Sequence, residues 1–483
     1  AAYPDGPWGP RDRVQRGGVA YDFLAPGDPL TPGWPSVPGA KRLDASDAPS
    51  LPRILSAPLS ERDAQAILAT MDGPEVPRAW RGALPVTYRA GTGSTVLRVR
   101  VRIDERVRPV WTVTGLLRGR DRPDDLVIVG NHRDAWLYGG VDPSSGSAAM
   151  MELARTLGDL KKTGWRPRRS ILFASWDAEE LSLTSSTEWG EQHAQMLREH
   201  AVAYLNADSA VSGQDLAIAA VPSLNAVIES ATGIVRDPAT RLTLTARARS
   251  ASGSAVAPSP VVDNRVGGGS DYTVFLNHLG VPVADFSFRG PYGVYHSAYD
   301  THDWVARFAD PGFRYHAALV QVIGLVTLRL ADADVVALDY VPYAERIDEF
   351  AREARARWTS SQRSVPEDPL GEVFAAISDL RRAAADFNAR RERALVDGDA
   401  DALRLLNVRL RDAERSLLDP GGLPGRPWFR HLIYAPKFTY APELLPGVAE
   451  AVDAGDLPRA RVQAQRLAAA IRRSADALDG AAD

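Results

Sequence analysis

The first residues that can do chemistry lie in the stretch LVIVGNHRDAWLYGGVDPSSG, residues 126–146. Residues 126–130 are apolar and predict a buried strand. Directly after that strand the chain carries His132, Asp134 and Asp142. Imidazole and carboxylate groups bind metal ions and transfer protons, so their position at the end of a core strand predicts a functional site.

Three further segments place similar side chains after apolar runs or in a loop. The run SILFASW is followed by Glu179 and Glu180, and the run AVAYLNA is followed by Asp208. The segment YGVYHSAYDTHD supplies His296 and His302. Sites in open α/β sheets form at the carboxyl ends of strands, so we expect these groups to meet at one edge of a sheet.

Each of these residues also has an ordinary structural interpretation. A single histidine such as His132 is more often packed or exposed without a function. Glu179 and Glu180 can favour a helix N-terminus through the helix dipole, and Asp208 can be a turn residue. Convergence favours a metal site, because several carboxylates at one edge repel one another unless cations lie between them.

Two divalent ions would balance the charge of such a cluster. Two Zn²⁺ ions match the charge of Asp142, Glu180, Asp208 and one hydroxide, and two neutral histidines complete the ligand shells. A carboxylate has two oxygens, so one aspartate can bridge the pair.

Two further carboxylates would assist the ligands. Asp134 follows His132 by two positions and can accept the other N–H of the imidazole, which would fix its tautomer. Glu179 lies beside a ligand and can take the proton of a bridging water.

The elements that would position these residues lie between about residues 107 and 333. The segments LVIVG, SILFASW, AVAYLNA and VPVADFSF have strand character, and a helix with a Ser144 cap is expected after the first strand. Alternation of strands and helices predicts an α/β fold with a mostly parallel sheet flanked by helices.

The chain length of 483 residues predicts two or three domains. Residues 1–106 are rich in proline and glycine and include the strand-like piece STVLRVRVRI. Residues 334–483 carry amphipathic helical patterns that are typical of a bundle or a dimer face. We expect three domains with the boundaries 1–106, 107–333 and 334–483.

Composition excludes several kinds of protein. The net charge is −4, so no nucleic-acid partner is expected. The chain has no cysteine, which excludes disulfides and thiolate-bound zinc. The apolar stretch 317–330 is shorter than the roughly 18 residues of a membrane span. Four lysines accompany 53 arginines, and these arginines are scattered among acids, so no arginine-rich binding face is predicted.

Five motifs give the sequence a specific resemblance. They are GNHRDAWLYGGVDPSSGSA, RPRRSILFASWDAEE, STEW, AYLNADSA and YGVYHSAYDT. Together they resemble the zinc exopeptidase family of glutamate carboxypeptidase II and transferrin receptor. The resemblance implies a zinc-exopeptidase fold, a partial protease-associated apical domain in residues 1–106, and a C-terminal helical dimerisation domain. It also implies that the first strands of the protease domain lie upstream of residue 1.

The resemblance implies a complete dizinc centre and a reaction. The implied zinc ligands are His132 and Asp208 for one ion, Glu180 and His296 for the other, and Asp142 as the bridge.

The implied reaction is peptide-bond hydrolysis through a metal-bridged hydroxide, with Glu179 as general base. Tyr295 would stabilise the oxyanion of the tetrahedral intermediate. A cis peptide bond between Asp142 and Pro143 is also implied. The substrate would be a peptide or an N-acyl amino acid, cleaved in the manner of a carboxypeptidase.

A structural Ca²⁺ follows from the same resemblance. Its ligands would be the main-chain carbonyls of Thr31 and Trp34 in the TPGW loop and the carboxylates of Glu188 and Glu191 in STEWGE. All four are oxygen donors, as calcium prefers. Without the resemblance, a solvated acidic helix face would be the better interpretation of the two glutamates.

The pocket departs from that of the glutamate-specific relatives. The positions assigned to the substrate pocket are Leu183, Gly269, Ser270 and Tyr440. The arginine patch of those relatives has no counterpart, and Thr439 precedes Tyr440 where the relatives have lysine. A preference for glutamate is therefore not predicted.

Two other functions remain open at this point. One is an aminopeptidase on the same dizinc centre, and the other is a zinc-free binding module like transferrin receptor. The resemblance further implies a homodimer formed through the C-terminal helices and a location outside the cytoplasm.

Overall fold

The computed structural model describes residues 9–19, 21–91, 93–104, 106–251, 261–361 and 368–480. Within residues 9–112 the described chain is mostly irregular and contains helix α1 (Glu61–Leu68) and a short 3₁₀ turn (Arg78–Trp80). Ser60 caps α1 by accepting a hydrogen bond from the Asp63 N–H at 3.1 Å.

The strand-like piece STVLRVRVRI, residues 94–103, is not a strand, so this prediction was wrong. Its side chains face solvent, and Val96 is 89% exposed. Alternating apolar residues form a strand only where a neighbouring strand pairs with them, and no described segment pairs with this one.

A seven-stranded sheet forms the centre of the molecule. Its spatial order is β1-β3-β2-β4-β7-β5-β6. The pairs β3–β2, β2–β4 and β4–β7 are parallel, whereas β1 and β5 run antiparallel to their neighbours β3 and β7. The strands are β1 (Val113–Leu117), β2 (Arg122–His132), β3 (Arg169–Trp176), β4 (Ala201–Asn206), β5 (Asp215–Ala220), β6 (Val262–Asp263) and β7 (Val283–Arg289). The predicted mostly parallel sheet is confirmed.

Helices pack against this sheet and cover its apolar side chains. Helix α2 starts at Ser144 as predicted, although Pro143 occupies its N-cap and no side chain caps it. Helix α8 contacts α2 and four strands, and contains the apolar stretch 317–330. The helices of this part are α2 (Ser144–Lys162), α3 (Thr184–Gln192), α4 (Ala194–His200), α5 (Asn225–Thr232), α6 (Leu244–Ala251), α7 (His302–Trp304) and α8 (Arg314–Asp332).

The C-terminal region is helical, as its pattern predicts, with a small hairpin that the sequence did not reveal. Helix α13 packs along α10 and also contacts α11 and α12. The elements are α9 (Val341–Ser361), α10 (Gly371–Asp397), α11 (Ala400–Arg415), β8 (Tyr434–Pro436), β9 (Pro442–Leu444), α12 (Pro446–Asp453) and α13 (Leu457–Asp479).

Buried polar contacts join the helical region to the sheet. The guanidinium of Arg169 in β3 donates to Asn407 Oδ1 in α11 at 2.8 Å, and Arg411 donates to Asp125 Oδ1 at 2.7 Å. One continuous apolar core extends through both regions. The domain boundaries at residues 106 and 333 stay predictions. Among the described residues, no helix combines the length and the apolar character that a membrane crossing requires.

Candidate metal centre

Three parallel strands bring their carboxyl ends to one edge of the sheet. His132, the last residue of β2, lies beside Trp176, the last residue of β3, and Gly130 of β2 lies beside Asn206, the last residue of β4. The acidic residues that follow β3 and β4 therefore start from the same edge as His132, as the sequence predicts.

The first group of potential ligands contains His132, Glu179 and Asp208. His132 Nε2 lies 2.9 Å from Asp208 Oδ1 and 3.8 Å from Glu179 Oε2. The histidine is 1% exposed. Burial disfavours its charged form, but the carboxylates of Asp208 and Glu179 outweigh burial and raise the His132 pKa well above its usual value.

The second group contains Asp142, Glu180 and His296. His296 Nε2 lies 3.0 Å from Asp142 Oδ2 and 3.1 Å from Glu180 Oε2. Asp142 also faces the first group, because its other oxygen, Oδ1, lies 3.3 Å from His132 Nε2. The peptide bond from Asp142 to Pro143 is cis, which confirms the expectation from the motif. Asp142 is therefore placed between the two groups.

The donor set fits two divalent cations. Within each group the potential ligand atoms lie within 4.8 Å of one another. Asp142 Oδ1 and Glu180 Oε1 are buried and accept no hydrogen bond from the described residues. Burial, followed by the charge of Asp142, raises the pKa of Glu180 to about 9, and a cation beside it would favour its ionised form. Imidazole nitrogens and carboxylate oxygens are ligands of zinc.

Asp134 lies beside the imidazole of His132, as predicted, and has a further role. His132 Nδ1 lies 3.0 Å from the main-chain oxygen of Asp134 and 3.5 Å from its carboxylate. The Asp134 carboxylate also accepts the main-chain N–H groups of Glu179 and Glu180, at 3.0 and 3.2 Å. The left-handed backbone of Ala178 (φ 52°) precedes these two N–H groups. Asp134 thus positions both glutamates.

The sequence did not reveal two other contacts that position ligands. Asp300 Oδ1 accepts the N–H of Val141 at 2.8 Å, and its Oδ2 accepts the N–H of Asp142 at 3.1 Å. The N-terminal segment supplies the second, because His296 Nδ1 lies 3.1 Å from the main-chain oxygen of Arg16. The Arg16 N–H also donates to the His296 carbonyl at 2.8 Å. Because every residue type has a main-chain oxygen, the sequence cannot indicate the contact between Arg16 and His296.

Glu179 and Tyr295, the predicted catalytic residues, both face the ligand groups. Glu179 is 9% exposed, and burial raises its pKa well above the usual value. The ring of Tyr295 stacks on that of His296 with centroids 3.6 Å apart. Burial and the nearby charge of Asp142 raise the Tyr295 pKa, so its hydroxyl keeps its proton and can donate a hydrogen bond.

A cavity of about 220 Å³ opens beside the two ligand groups. It contains three of the four residues assigned to a substrate pocket, namely Leu183, Gly269 and Tyr440. Other residues that line it were not predicted from the sequence, among them Arg16, Asp22 and Trp136.

Ser270, the fourth assigned residue, lies behind a ligand and lines an adjoining cavity. Its hydroxyl donates to Asp208 Oδ2 at 2.6 Å and accepts from Asn206 Nδ2 at 2.9 Å. Its place beside Asp208 makes it a positioning residue for that carboxylate.

Two family models match the chain. Residues 112–309 match peptidase family M28, and residues 369–479 match the transferrin receptor-like dimerisation domain. A probable glutamate carboxypeptidase of Arthroderma benhamiae is 38% identical over 501 residues, which cover 100% of this chain and 67% of that protein. The chain belongs to peptidase family M28. The matched ranges place the metal centre in the M28 region and helices α10, α11 and α13 in the dimerisation region.

Other relatives of this M28 chain carry two different names. The probable glutamate carboxypeptidase LAMP1 of Arabidopsis thaliana is 40% identical over 459 residues, 93% of this chain and 64% of the relative. The aminopeptidase NAALADL1 of Mus musculus is 34% identical over 491 residues, 94% of this chain and 64% of the relative. The chain therefore spans a little under two thirds of the length of these two relatives.

The residues assigned to calcium include two buried carboxylates, Glu188 and Glu191 of helix α3. Glu188 accepts the N–H groups of Asp28 and Ser36, at 2.7 and 2.5 Å, which connects the chain on both sides of TPGW to helix α3. Burial raises the pKa of Glu188 to about 7 and that of Glu191 to about 8. Glu191 Oε2 and Thr31 Oγ1 are buried without a hydrogen-bond partner among the described residues.

The Thr31 carbonyl accepts the N–H of Trp34 at 3.2 Å, so the TPGW loop forms a turn. The structure thus places the two glutamates and this loop on neighbouring segments.

Proposed function

We propose that this chain is a zinc-dependent exopeptidase with two metal ions. The observation that carries the proposal is the position of Asp142, whose two carboxylate oxygens face His132 and His296 respectively. In this assignment His132 and Asp208 would hold one zinc, Glu180 and His296 would hold the other, and Asp142 would be shared by both. Zinc bound there would make a water molecule acidic near neutral pH and would polarise a peptide carbonyl.

The chain's own residues supply the proton transfers and part of the charge stabilisation. Glu179 takes the proton of the attacking water and returns it to the leaving amine. The main-chain contacts of Asp134 hold Glu179 in place for both steps. Tyr295 donates its hydroxyl hydrogen to the carbonyl oxygen as negative charge develops there.

We propose carboxypeptidase action as the direction of cleavage. Among the described residues that line the cavity, Arg16 is the one arginine, and no lysine is present there. A guanidinium matches the geometry of a carboxylate, so Arg16 is suited to bind the terminal carboxylate of a substrate. Two of the relatives above are named probable glutamate carboxypeptidases.

Aminopeptidase action is the second candidate, and a specific residue favours it. The carboxylate of Asp22 lines the same cavity and can bind a terminal ammonium group. A relative named aminopeptidase NAALADL1 matches over 94% of the chain.

A panel of blocked dipeptides separates the two directions. N-acetylated dipeptides that are cleaved, together with C-amidated dipeptides that are not, would support carboxypeptidase action. The R16Q variant should then raise KM, whereas D22N should leave it nearly unchanged. Cleavage of C-amidated but not N-acetylated dipeptides, with a raised KM in D22N and not in R16Q, would establish aminopeptidase action. This result would contradict carboxypeptidase action.

The remaining assignments complete the proposal. Ca²⁺ would bind Glu188, Glu191 and the carbonyls of Thr31 and Trp34.

The match to a transferrin receptor-like dimerisation domain supports a homodimer, which light scattering of the purified chain would test. The family resemblance also supports a location outside the cytoplasm, which fractionation of the host cells would test. A zinc-free purified protein without peptidase activity would favour the binding-module alternative.

A further inference from the structure

A cavity of about 670 Å³, larger than the one beside the metal centre, lies between the M28 region and the dimerisation region. Helix α4 forms one side, and helices α11 and α13 with the loop after α11 form the other. The charged residues that line this arginine cavity are Arg198, Arg415, Asp419, Arg430, Arg466 and Arg473. Five arginines that are scattered in the sequence therefore lie together in the fold. The prediction that the arginines form no arginine-rich face was wrong for these five.

The positive charge of the arginine cavity is only partly neutralised. Five arginines and one carboxylate line it, a formal charge of +4, and Asp412 Oδ1 outside the lining lies 3.7 Å from Arg415 Nη1. The pair between Arg466 and Asp419 is long, at 3.5 Å. Within the described parts of the chain, Arg198, Arg430 and Arg473 form no ion pair with a carboxylate, although Glu191 lies near enough for its charge to act on Arg430. Like charges that are held together in this way favour an anion between them.

Buried guanidinium groups in the arginine cavity also lack acceptors. Arg415 Nη2 donates to the carbonyls of Leu197 and Ala201, at 3.2 and 2.9 Å, which fixes this side chain. Its Nε and Nη1 atoms and the Nε atom of Arg430 are buried without a hydrogen-bond partner among the described residues. Burial lowers the pKa of Arg415 to about 10, which shows that this charge lies in a poorly solvated place. An anionic ligand would satisfy both the donors and the charge.

We propose that the arginine cavity binds a phosphorylated small molecule through its phosphate groups. Arginine forks pair with phosphate oxygens in two parallel hydrogen bonds, and several arginines suit more than one anionic group. The volume lies in the range of small-molecule sites. Leu279 and Pro420 line the same cavity and provide an apolar surface for the rest of the molecule.

The ligand would join two regions of the chain. Arg198 belongs to the segment that matches peptidase family M28, and the other four arginines belong to the dimerisation segment. No residue of the arginine cavity is one of the proposed zinc or calcium ligands, so this site can be tested independently of peptidase activity.

Titration calorimetry of the full chain with inorganic pyrophosphate, at constant ionic strength, tests the proposal. We expect binding to the wild-type chain, and at least tenfold weaker binding to the R198Q/R473Q double variant. Both side chains are exposed, but Arg473 donates to the carbonyls of Ser416 and Leu418 at 3.0 Å, so an unchanged Tm must verify that the variant folds normally. A matched control, R120Q/R166Q, removes two exposed arginines from another surface and should bind as the wild type does.

Three outcomes would overturn the proposal. The first is the absence of binding to the wild-type chain. The second is equal affinity of the wild type and the R198Q/R473Q variant, which would indicate that pyrophosphate binds a metal ion or another surface. The third is tighter binding of citrate than of pyrophosphate, which would assign the arginine cavity to polycarboxylates.

Discussion

Asp142 Oδ2 lies 3.0 Å from His296 Nε2, although the two residues are 154 positions apart in the sequence. One residue follows the second strand of the sheet, and the other lies in a loop after the seventh. The fold brings them together at the sheet edge where His132 also ends its strand. This proximity turns separate acidic and histidine residues into one candidate metal centre.

The E179Q variant should retain zinc and lose most hydrolysis. Glutamine keeps the size of Glu179 but cannot accept a proton, and loss of a general base lowers kcat by about 10²–10⁴-fold. Steady-state kinetics and metal analysis of the same preparation would measure both effects. The matched control is E152Q, which changes an exposed glutamate on α2. Near-normal kcat would contradict the base assignment, and loss of zinc would instead make Glu179 a ligand.

The Y295F variant should lower kcat with little change in KM. Phenylalanine keeps the stacking contact with His296 and removes only the hydroxyl donor. Loss of one donor to an oxyanion costs about 10²–10³-fold in kcat. The control is Y138F, at a tyrosine that is 71% exposed. A rise in KM at constant kcat would show that Tyr295 binds the ground state of the substrate instead.

The D300N variant should weaken zinc binding. Asp300 accepts the N–H groups of Val141 and Asp142, and the Tyr292 hydroxyl donates to it at 2.7 Å. Replacement of residues that hold metal ligands lowers metal affinity by about 10–100-fold. Competition with a zinc-sensitive dye would measure this loss. D303N, which changes an exposed carboxylate nearby in sequence, is the control, and equal affinity of D300N and D303N would exclude the positioning role.

Calcium should stabilise the chain more at pH 8 than at pH 6. The folded pKa values of Glu188 and Glu191, about 7 and about 8, exceed the usual value of 4.5. Because the folded pKa values are raised, the stability from these two groups is fully present below about pH 4.5 and is lost as pH rises through about 8. The unfolded state releases these protons at a lower pH than the folded state does, so rising pH favours unfolding. Calcium binding would reverse this loss.

Thermal unfolding of calcium-free protein at constant zinc concentration would measure this effect. Each kcal/mol of added stability raises Tm by about 2–4 °C in a domain of 150–250 residues. The E188Q/E191Q variant should show a weaker pH dependence and no response to calcium. Equal responses of the wild type to calcium and to magnesium would contradict a specific calcium site, because the two ions prefer different geometries.

The sequence predicted the parts of this structure that side-chain identity determines. Apolar runs located four strands of the sheet, and the acids and histidines after them located the ligand groups. Asp134 and Ser270 were identified as site residues, but the contacts of Asp134 with the main chain of Glu179 and of Ser270 with Asp208 were not, because only the fold brings these partners near.

Other features depend on contacts that no local pattern records. Arg16 supports His296 through a main-chain oxygen, which any residue type supplies. Residues 94–103 alternate like a strand but have no pairing neighbour among the described residues. The arginine cavity is lined by residues as distant in sequence as Arg198 and Arg473, so no local sequence pattern predicts its positive charge.

Anomalous scattering at the zinc edge, measured from crystals of the purified chain, tests the central claim most directly. We expect two zinc peaks per chain, one beside His132 and Asp208 and one beside Glu180 and His296, with one oxygen of Asp142 directed at each. A single peak, no peak, or an Asp142 carboxylate bound to only one ion would contradict the bridged centre.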